Sequence, residues 1–408
     1  MIENNNKWRK ITIGDLGKIV TGKTPSTKNE NFWNGDIPFV TPSDLQKSKH
    51  VFSTERTVSQ DGLTAVKGVT LPTRAICVSC IGNLGYTAMT TQTSVSNQQI
   101  NSIIPSVEFD KNFVYYLMKS LWNEFKNLEG QSTTLSILNK TLFSKIEVSV
   151  PNLETQQQIA KVLSSLDDKI ELNTQINHNL EEQAKAIFKS WFVDFEPFAG
   201  KEPDGLKVVD LQSICELVTK GTTPTTLGFA FTPDGINFIK AESISDTHCF
   251  DIDKFSYIDQ QTNNALKRSI IQDGDILFTI AGTLGRFAIA DKSILPANTN
   301  QAVAIIRPKP TEVHPYYIYS FLLGGWHTEY YRKRVQQAVQ ANLNLTTIKS
   351  LSILLLPEPL KQRYENIIVP LFTTILQNTL ENRTLCKLRD TLLPKLMSGE
   401  IDVSEVQV

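Results

Sequence analysis

No apolar run in this sequence of 408 residues approaches the ~20 residues of a membrane-spanning helix; even Leu351 to Leu356 is short and stops at Pro357. The start, Met1 to Asn6, is polar and lacks the apolar centre of a secretion signal. Five scattered cysteines, an odd number, argue against a disulfide framework. A cytoplasmic location is the expectation. An excess of either charge is missing too: 41 basic residues against 42 acidic ones leave a formal net charge of -1. Proteins that bind DNA unaided are often strongly basic. A DNA-binding role therefore requires few phosphate contacts here, or partners that supply the rest.

Catalytic signatures are also scarce. Gly17 to Thr24 matches the phosphate-loop pattern, but that loop works by opening a helix whose amides hold phosphate. Here Thr24 is followed by the turn-rich Pro25-Ser26-Thr27-Lys28-Asn29, so the stretch reads as a surface loop. Cys77 and Cys80 form C-x-x-C with no second pair at zinc-finger spacing. They sit in an apparent strand, where residues three apart face opposite sides, and read as small core residues. The five histidines form no ligand cluster, so no metal site is expected. No nucleophile elbow, dinucleotide fingerprint or Asn-Pro-Pro-aromatic methyltransferase motif is visible, and the chain reads as non-catalytic.

What is present is a repeat. Gly14-Asp15-Leu16 and Thr21 to Pro25 are answered by Val209-Asp210-Leu211 and Gly221 to Pro224. Gly82 to Gly85 is answered by Gly282 to Gly285, and Ser96 to Gln99 by Thr299 to Ala302. The offset drifts only from 199 (Pro25 to Pro224) to 206 (Pro151 to Pro357). Each copy begins with short apolar stretches bounded by Gly, Pro, Asn and Ser, such as Asp36 to Val40, Ala75 to Ile81, Asp275 to Ile280 and Ala302 to Ile306, which predict strands and turns. One helix interrupts each, around Lys111 to Leu128 and around Pro315 to Val335. Pro72-Thr73-Arg74 stands where the second copy has Asp273-Gly274-Asp275. The expected fold class is α+β: two pseudo-repeated mixed α/β domains separated by two long antiparallel coiled-coil helices.

Each copy ends in such a helix. The first runs from about Asn152 to Val193 with seam positions Ile159, Leu163, Leu166, Ile170, Asn173, Asn177, Leu180, Ala184, Ile187 and Trp191, alternating steps of four and three. Adding 205 gives Tyr364, Ile368, Leu371, Ile375, Asn378, Asn382, Leu385, Arg389, Leu392 and Leu396. Arg389 departs from an apolar seam, and Pro370 is expected to bend the second helix. If the helices run antiparallel, partner numbers sum to 555, so Asn173 meets Asn382 and Asn177 meets Asn378. Such asparagine layers fix register. Helices of about 40 residues span ~60 Å, against ~34 Å for a turn of B-DNA.

Polar loop residues suited to base edges concentrate where the copies align, since Asn and Gln can contact adenine, Arg and Lys guanine, and Ser and Thr either. In the first copy these are Lys23, Thr24, Thr41, Ser43, Asn83, Gln98 and Gln99; in the second, Thr222, Thr223, Lys240, Glu242, Arg286, Asn300 and Gln301. Tyr330 to Arg334 is a basic aromatic run able to meet phosphate.

Along its whole length the layout resembles the specificity subunits of type I restriction–modification systems. The matching pieces are Leu16 to Pro25, Gly35 to Val40, Gly274 to Leu277, Asn97 to Gln99, Leu180 to Phe192 and the closing Leu388 to Ile401, in the family's order. The resemblance implies a first target-recognition domain over 1–151, a spacer helix over 152–198, a linker at 199–206, a second recognition domain over 207–357, and a second spacer helix with a tail over 358–408. It implies two modification subunits and restriction subunits as partners on double-stranded DNA, with S-adenosylmethionine, ATP and Mg2+ carried by those partners and no cofactor on this chain. Two other readings stand beside it: a coiled-coil adaptor that binds only proteins, and a nucleotide hydrolase using Lys23.

Overall fold

The computed structural model describes residues 8–46, 48–130, 137–326 and 343–403. The chain forms two units, Met1–Gln175 with Asn378–Val408, and Ile176–Gln377. Each long helix is thus shared between units, whereas the sequence reading sets the helices apart as segments of their own.

The main sheet of the first unit orders its strands Gly17–Thr21, Ile100–Pro105, Ile76–Ser79, Thr87–Thr90 and His50–Val51. All its pairings are antiparallel except the last. A second sheet orders Arg56–Val58, Trp33–Val40 and Val95–Ser96, the last pairing parallel. Arg9–Thr12 pairs with Glu147–Val150. The second unit repeats the plan. Its main sheet orders Cys215–Lys220, Val303–Pro308, Ile276–Thr279 and Phe287–Ile289; a second orders Ser256–Ile258, Ile236–Ile239 and Ala297–Thr299; Lys207–Asp210 pairs with Ser352–Leu355.

The strand Ile76–Ser79 is buried throughout because both of its faces are covered. Ile76 and Val78 join Phe113, Ile159 and Leu163 on one side, and Cys77 joins Val20, Ala88 and Ile100 on the other. Cys80 belongs with the first side, so the two thiols lie in different cores, as strand periodicity requires. Burial pushes Cys77 up to about 11 and Cys80 up to about 12, and both stay protonated thiols at neutral pH.

Two expectations need correction. The turn before this strand aligns one residue away from the sequence reading. Arg74 (φ 62°) donates its amide to Thr90 O at 2.7 Å, and Gly274 (φ 83°) donates to Ala290 O at 2.9 Å. Arg74 thus stands opposite Gly274 and holds a left-handed conformation that glycine adopts without strain. The helix around Lys111 to Leu128 is two helices, Lys111–Ser120 and Trp122–Gly130, parted at Leu121. Its counterpart is Pro315–Leu323. The run Tyr330 to Arg334 lies outside the described residues.

The long helices are Leu153–Phe192 and Glu358–Ser398, the second continuous through Pro370. None of their seam positions is exposed. In the first unit they run antiparallel, with Asn173 against Asn382 and Asp167 against Arg389. In the second unit they do so again, with Asn177 against Ile375 and the Trp191 and Tyr364 rings 5.3 Å apart. Two of the ten seam pairs whose numbers sum to 555, Asn173 with Asn382 in the first unit and Trp191 with Tyr364 in the second, are in direct contact. Each unit's core includes its helix pair. Ile159, Leu163, Leu393 and Leu396 pack with Phe113 and Tyr116; Phe188, Trp191, Phe192 and Tyr364 pack with Tyr317 and Phe321. Among the described residues no helix is long and apolar enough to cross a membrane.

Candidate nucleic-acid interface

In the first unit the strand pairings carry three loops to one edge. Strand Gly17–Thr21 ends opposite Asn101, and strand Trp33–Val40 ends opposite Ser96. The chain leaving them, and the turn Asn97–Gln99, therefore meet. Gly22 N donates to Ile100 O (3.0 Å) and Asn97 N to Val40 O (3.0 Å). A β-carbon on Gly22 would stand 2.0 Å from Asn97 O, so only glycine lets these backbones touch. The Thr24 hydroxyl donates to Gln98 Oε1 at 2.7 Å, and both Lys23 and Gln98 are exposed. Gln99 is tied to Asn97 by reciprocal bonds: its amide donates to Asn97 Oδ1 (3.0 Å) and Asn97 Nδ2 donates to Gln99 Oε1 (2.9 Å). Thr41 donates its hydroxyl to Asp44 (2.7 Å) and lies 2.9 Å from the exposed Ser43 hydroxyl. Asn83 is at the exposed tip of the hairpin after Ser79, whose base bonds the same turn through Cys80 N to Gln99 O (2.7 Å).

The second unit builds the same edge. A β-carbon on Gly221 would lie 1.8 Å from Thr299 O, and Gly221 N donates to Asn300 O at 3.1 Å. The Thr223 hydroxyl donates to Gln301 Oε1, repeating the Thr24–Gln98 contact. Thr222 Oγ1 accepts from Arg268 at 3.3 Å. Lys240 begins the turn after strand Ile236–Ile239, and its ammonium sits 4.7 Å from the Phe231 ring centre, with Glu242 exposed two residues on. Arg286 is placed differently. Its amide bonds Thr279 as Tyr86 bonds Ser79 (both 2.9 Å), and its guanidinium donates inward to Ile244 O at 3.1 Å. Thr283 is the position that answers Asn83 in the hairpin.

The phosphate-loop pattern spans strand Gly17–Thr21 and this edge loop; the next helical turn, Glu30–Phe32, is three residues long. No helix N-terminus opens at Thr24, so the geometry that would hold phosphate is not formed.

The helix pair carries its own polar layer. Asn173 donates both amide protons, to Asn382 Oδ1 (2.9 Å) and Glu381 Oε2 (2.7 Å), while its own Oδ1 is buried without a partner. Asn382 donates to Ile170 O (3.2 Å). Asn177 donates to Ile375 O (3.3 Å), and Asn378 is half-buried. Arg389 reaches Asp167 Oδ1 at 2.7 Å, and Asp167 Oδ2 accepts from the Tyr116 hydroxyl at 2.6 Å.

Residues 5–182 and 203–387 each match the family model described as the type I restriction modification DNA specificity domain. The chain belongs to this specificity family. The type I restriction enzyme MjaIX specificity subunit of Methanocaldococcus jannaschii is 28% identical over 418 residues, covering 98% of this chain and 94% of that one. The HindI specificity subunit of Haemophilus influenzae is 36% identical over 177 residues, 43% of this chain and 39% of that one. The solved S subunit of the type I system of M. genitalium shares the fold, with a TM-score of 0.60, 17% identity and 97% coverage of both chains.

The two matched ranges of the specificity family are the two copies of the repeat. Sequence reasoning located most of the edge residues in both copies but missed Arg268 beside Thr222, and Asp167 and Tyr116 beneath Arg389. A signal for the first was available: Lys67-Gly68-Val69 aligns with Lys267-Arg268-Ser269, a position where the copies differ sharply. None exists for the second, since Tyr116, Asp167 and Arg389 are widely separated in the chain.

Proposed function

We propose that this chain is the target-selecting subunit of a type I restriction–modification complex and carries out no chemistry itself. Each recognition domain reads one half of a bipartite target in double-stranded DNA. The long helices set the unread gap and dock two modification subunits, because an internal repeat offers two equivalent docking places. Restriction subunits join the same assembly. S-adenosylmethionine, ATP and Mg2+ belong on this reading to the partners.

The observation that carries the proposal is the pair of matching edges. In both domains a glycine-requiring crossing and a Thr-to-Gln hydrogen bond gather polar side chains at one edge, Lys23, Thr24 and Gln98 in the first and Thr222, Thr223 and Gln301 in the second, with Lys23, Gln98 and Gln301 exposed. These are groups that can exchange hydrogen bonds with base edges. In the first domain the local bonds of Thr41 to Asp44 and between Asn97 and Gln99 hold these loops in a preset shape.

The test is to assemble the chain with its modification subunits and identify the methylated motif in host DNA by methylation-sensitive sequencing. Two short specified blocks separated by a fixed unspecified gap are expected. An assembled complex that methylates or binds all duplexes alike would refute the reading in favour of a protein-only adaptor.

A further inference from the structure

We infer that Arg268 is a specificity-determining residue of the second recognition domain, reading guanine in one half-site, with no counterpart in the first domain. The inference rests on the proposed function and adds a residue and a base type to it. Arg268 is exposed on the short turn Lys267–Ser269, and its guanidinium donates to Thr222 Oγ1 (3.3 Å) and Lys220 O (3.4 Å). These bonds are long, and both use one terminal nitrogen. Bidentate recognition of guanine O6 and N7 needs a fork of this kind held beside a groove-facing loop. That loop carries Thr222 and Thr223, the latter bonded to Gln301.

The turn is held from below by a buried polar network. Asn298 Oδ1 accepts from the Ser269 hydroxyl (2.7 Å) and the Thr299 amide (2.8 Å); its Nδ2 donates to Asn263 Oδ1 (2.9 Å) and Leu266 O (3.2 Å). All four bonding positions of this amide are used, which locks the side chain. In the first domain the strand pairings and turns place Val95, Val69 and Leu63 where the second has Asn298, Ser269 and Asn263. Those residues pack together as apolar core. The position of Arg268 is Gly68, whose β-carbon would meet nothing within 4 Å. The first domain thus has room for an arginine and lacks one, while the second carries an arginine on a turn anchored by directional bonds. Asn298, Ser269 and Asn263 are positioning residues for it.

The experiment compares the modification complex containing the natural chain with one containing Arg268→Ala, reading affinity for duplexes in which each base of both half-sites is varied in turn. The expected result is relaxed discrimination at one guanine of a single half-site, by about 5- to 140-fold for a bidentate pair, with the other half-site and the gap unchanged. Equal weakening on all sequences would mean a phosphate contact and overturn the inference, as would an unaltered motif. A natural complex that selects no bipartite motif would instead defeat the underlying functional reading, so the two failures are distinct.

Discussion

The Arg389 guanidinium lies 2.7 Å from the Asp167 carboxylate, joining the two long helices within the first unit. Asp167 is 7% exposed and Arg389 16%, and the other carboxylate oxygen is occupied by the Tyr116 hydroxyl from the recognition domain. Helix pair and domain are thereby linked through one carboxylate. Breaking a buried pair strands a charge. Asp167→Ala should destabilise the first unit by about 3 kcal/mol, the low end of the usual range because Asp390 still meets Arg389 at 2.8 Å. Asp167→Leu with Arg389→Met and Tyr116→Phe, which removes the hydroxyl that losing Asp167 would otherwise leave stranded, should recover most of that loss in urea unfolding. An equal loss in both variants would show that the pair is not the cause.

The polar network of the second domain invites a swap for the apolar set of the first. Asn298→Val alone removes the partner of the Asn263 carbonyl oxygen and of the Thr299 amide and leaves the Ser269 hydroxyl with only Leu266 O at 3.2 Å, costing about 1–3 kcal/mol for each buried group stranded. Asn263→Leu, Ser269→Val and Asn298→Val together should restore most of the stability, since the first domain holds this apolar combination. Urea midpoints of the single and triple variants decide the matter; a triple variant no more stable than the single one would count against it.

His314 caps the helix Pro315–Leu323 by accepting the Tyr316 amide on Nδ1 at 3.2 Å, which requires a neutral ring. Burial holds this imidazole below its ordinary 6.5. Below pH 6.5 the unfolded chain therefore binds a proton that the folded domain refuses, so stability is full above that pH and falls as the solution is acidified. His314→Asp reproduces the cap that Asp110 makes in the first domain, where Phe113 N donates to its carboxylate at 2.9 Å. That variant should show a shallower loss between pH 7.5 and 5, a window in which aspartate stays ionised. His248, also held low by burial, remains in both proteins and cancels in the comparison. Parallel stability profiles would refute the assignment.

The ruler role of the helices is tested by shortening both. Deleting 174–180 and 375–381 removes seven residues from each helix while keeping every remaining pair at its partner. Seven residues span about 10 Å, or about three base pairs at 3.4 Å each. The methylated motif should keep both half-sites and lose about three base pairs of gap. Altered half-sites with an unchanged gap would show that the helices do not measure it.

The repeat made much of the site readable in advance. Gly22 and Gly221, Thr24 and Thr223, Gln98 and Gln301 stand at matching places in the two copies; the Thr-to-Gln bond recurs, and both glycines cross the same turn, though their amides choose different acceptors, Ile100 O and Asn300 O. Arg286 was less legible. A loop arginine reads as a base contact in sequence, yet its guanidinium donates inward to Ile244 O, a partner far away in the chain. Lys240 likewise lies over Phe231, and sequence gives no sign of that neighbour.

By itself the sequence determined the two-copy organisation, the long helices with their antiparallel register, and the positions where loops begin. These follow from periodicity and recurrence, which are properties of order along the chain. Only the tertiary structure decided which polar residues face solvent and which are consumed as internal partners: Arg389 by Asp167, Asn298 by Ser269 and Asn263, Arg286 by Ile244. The reason is that a buried polar group must be matched by whatever lies nearest in space, and that neighbour is chosen by packing, not by sequence distance.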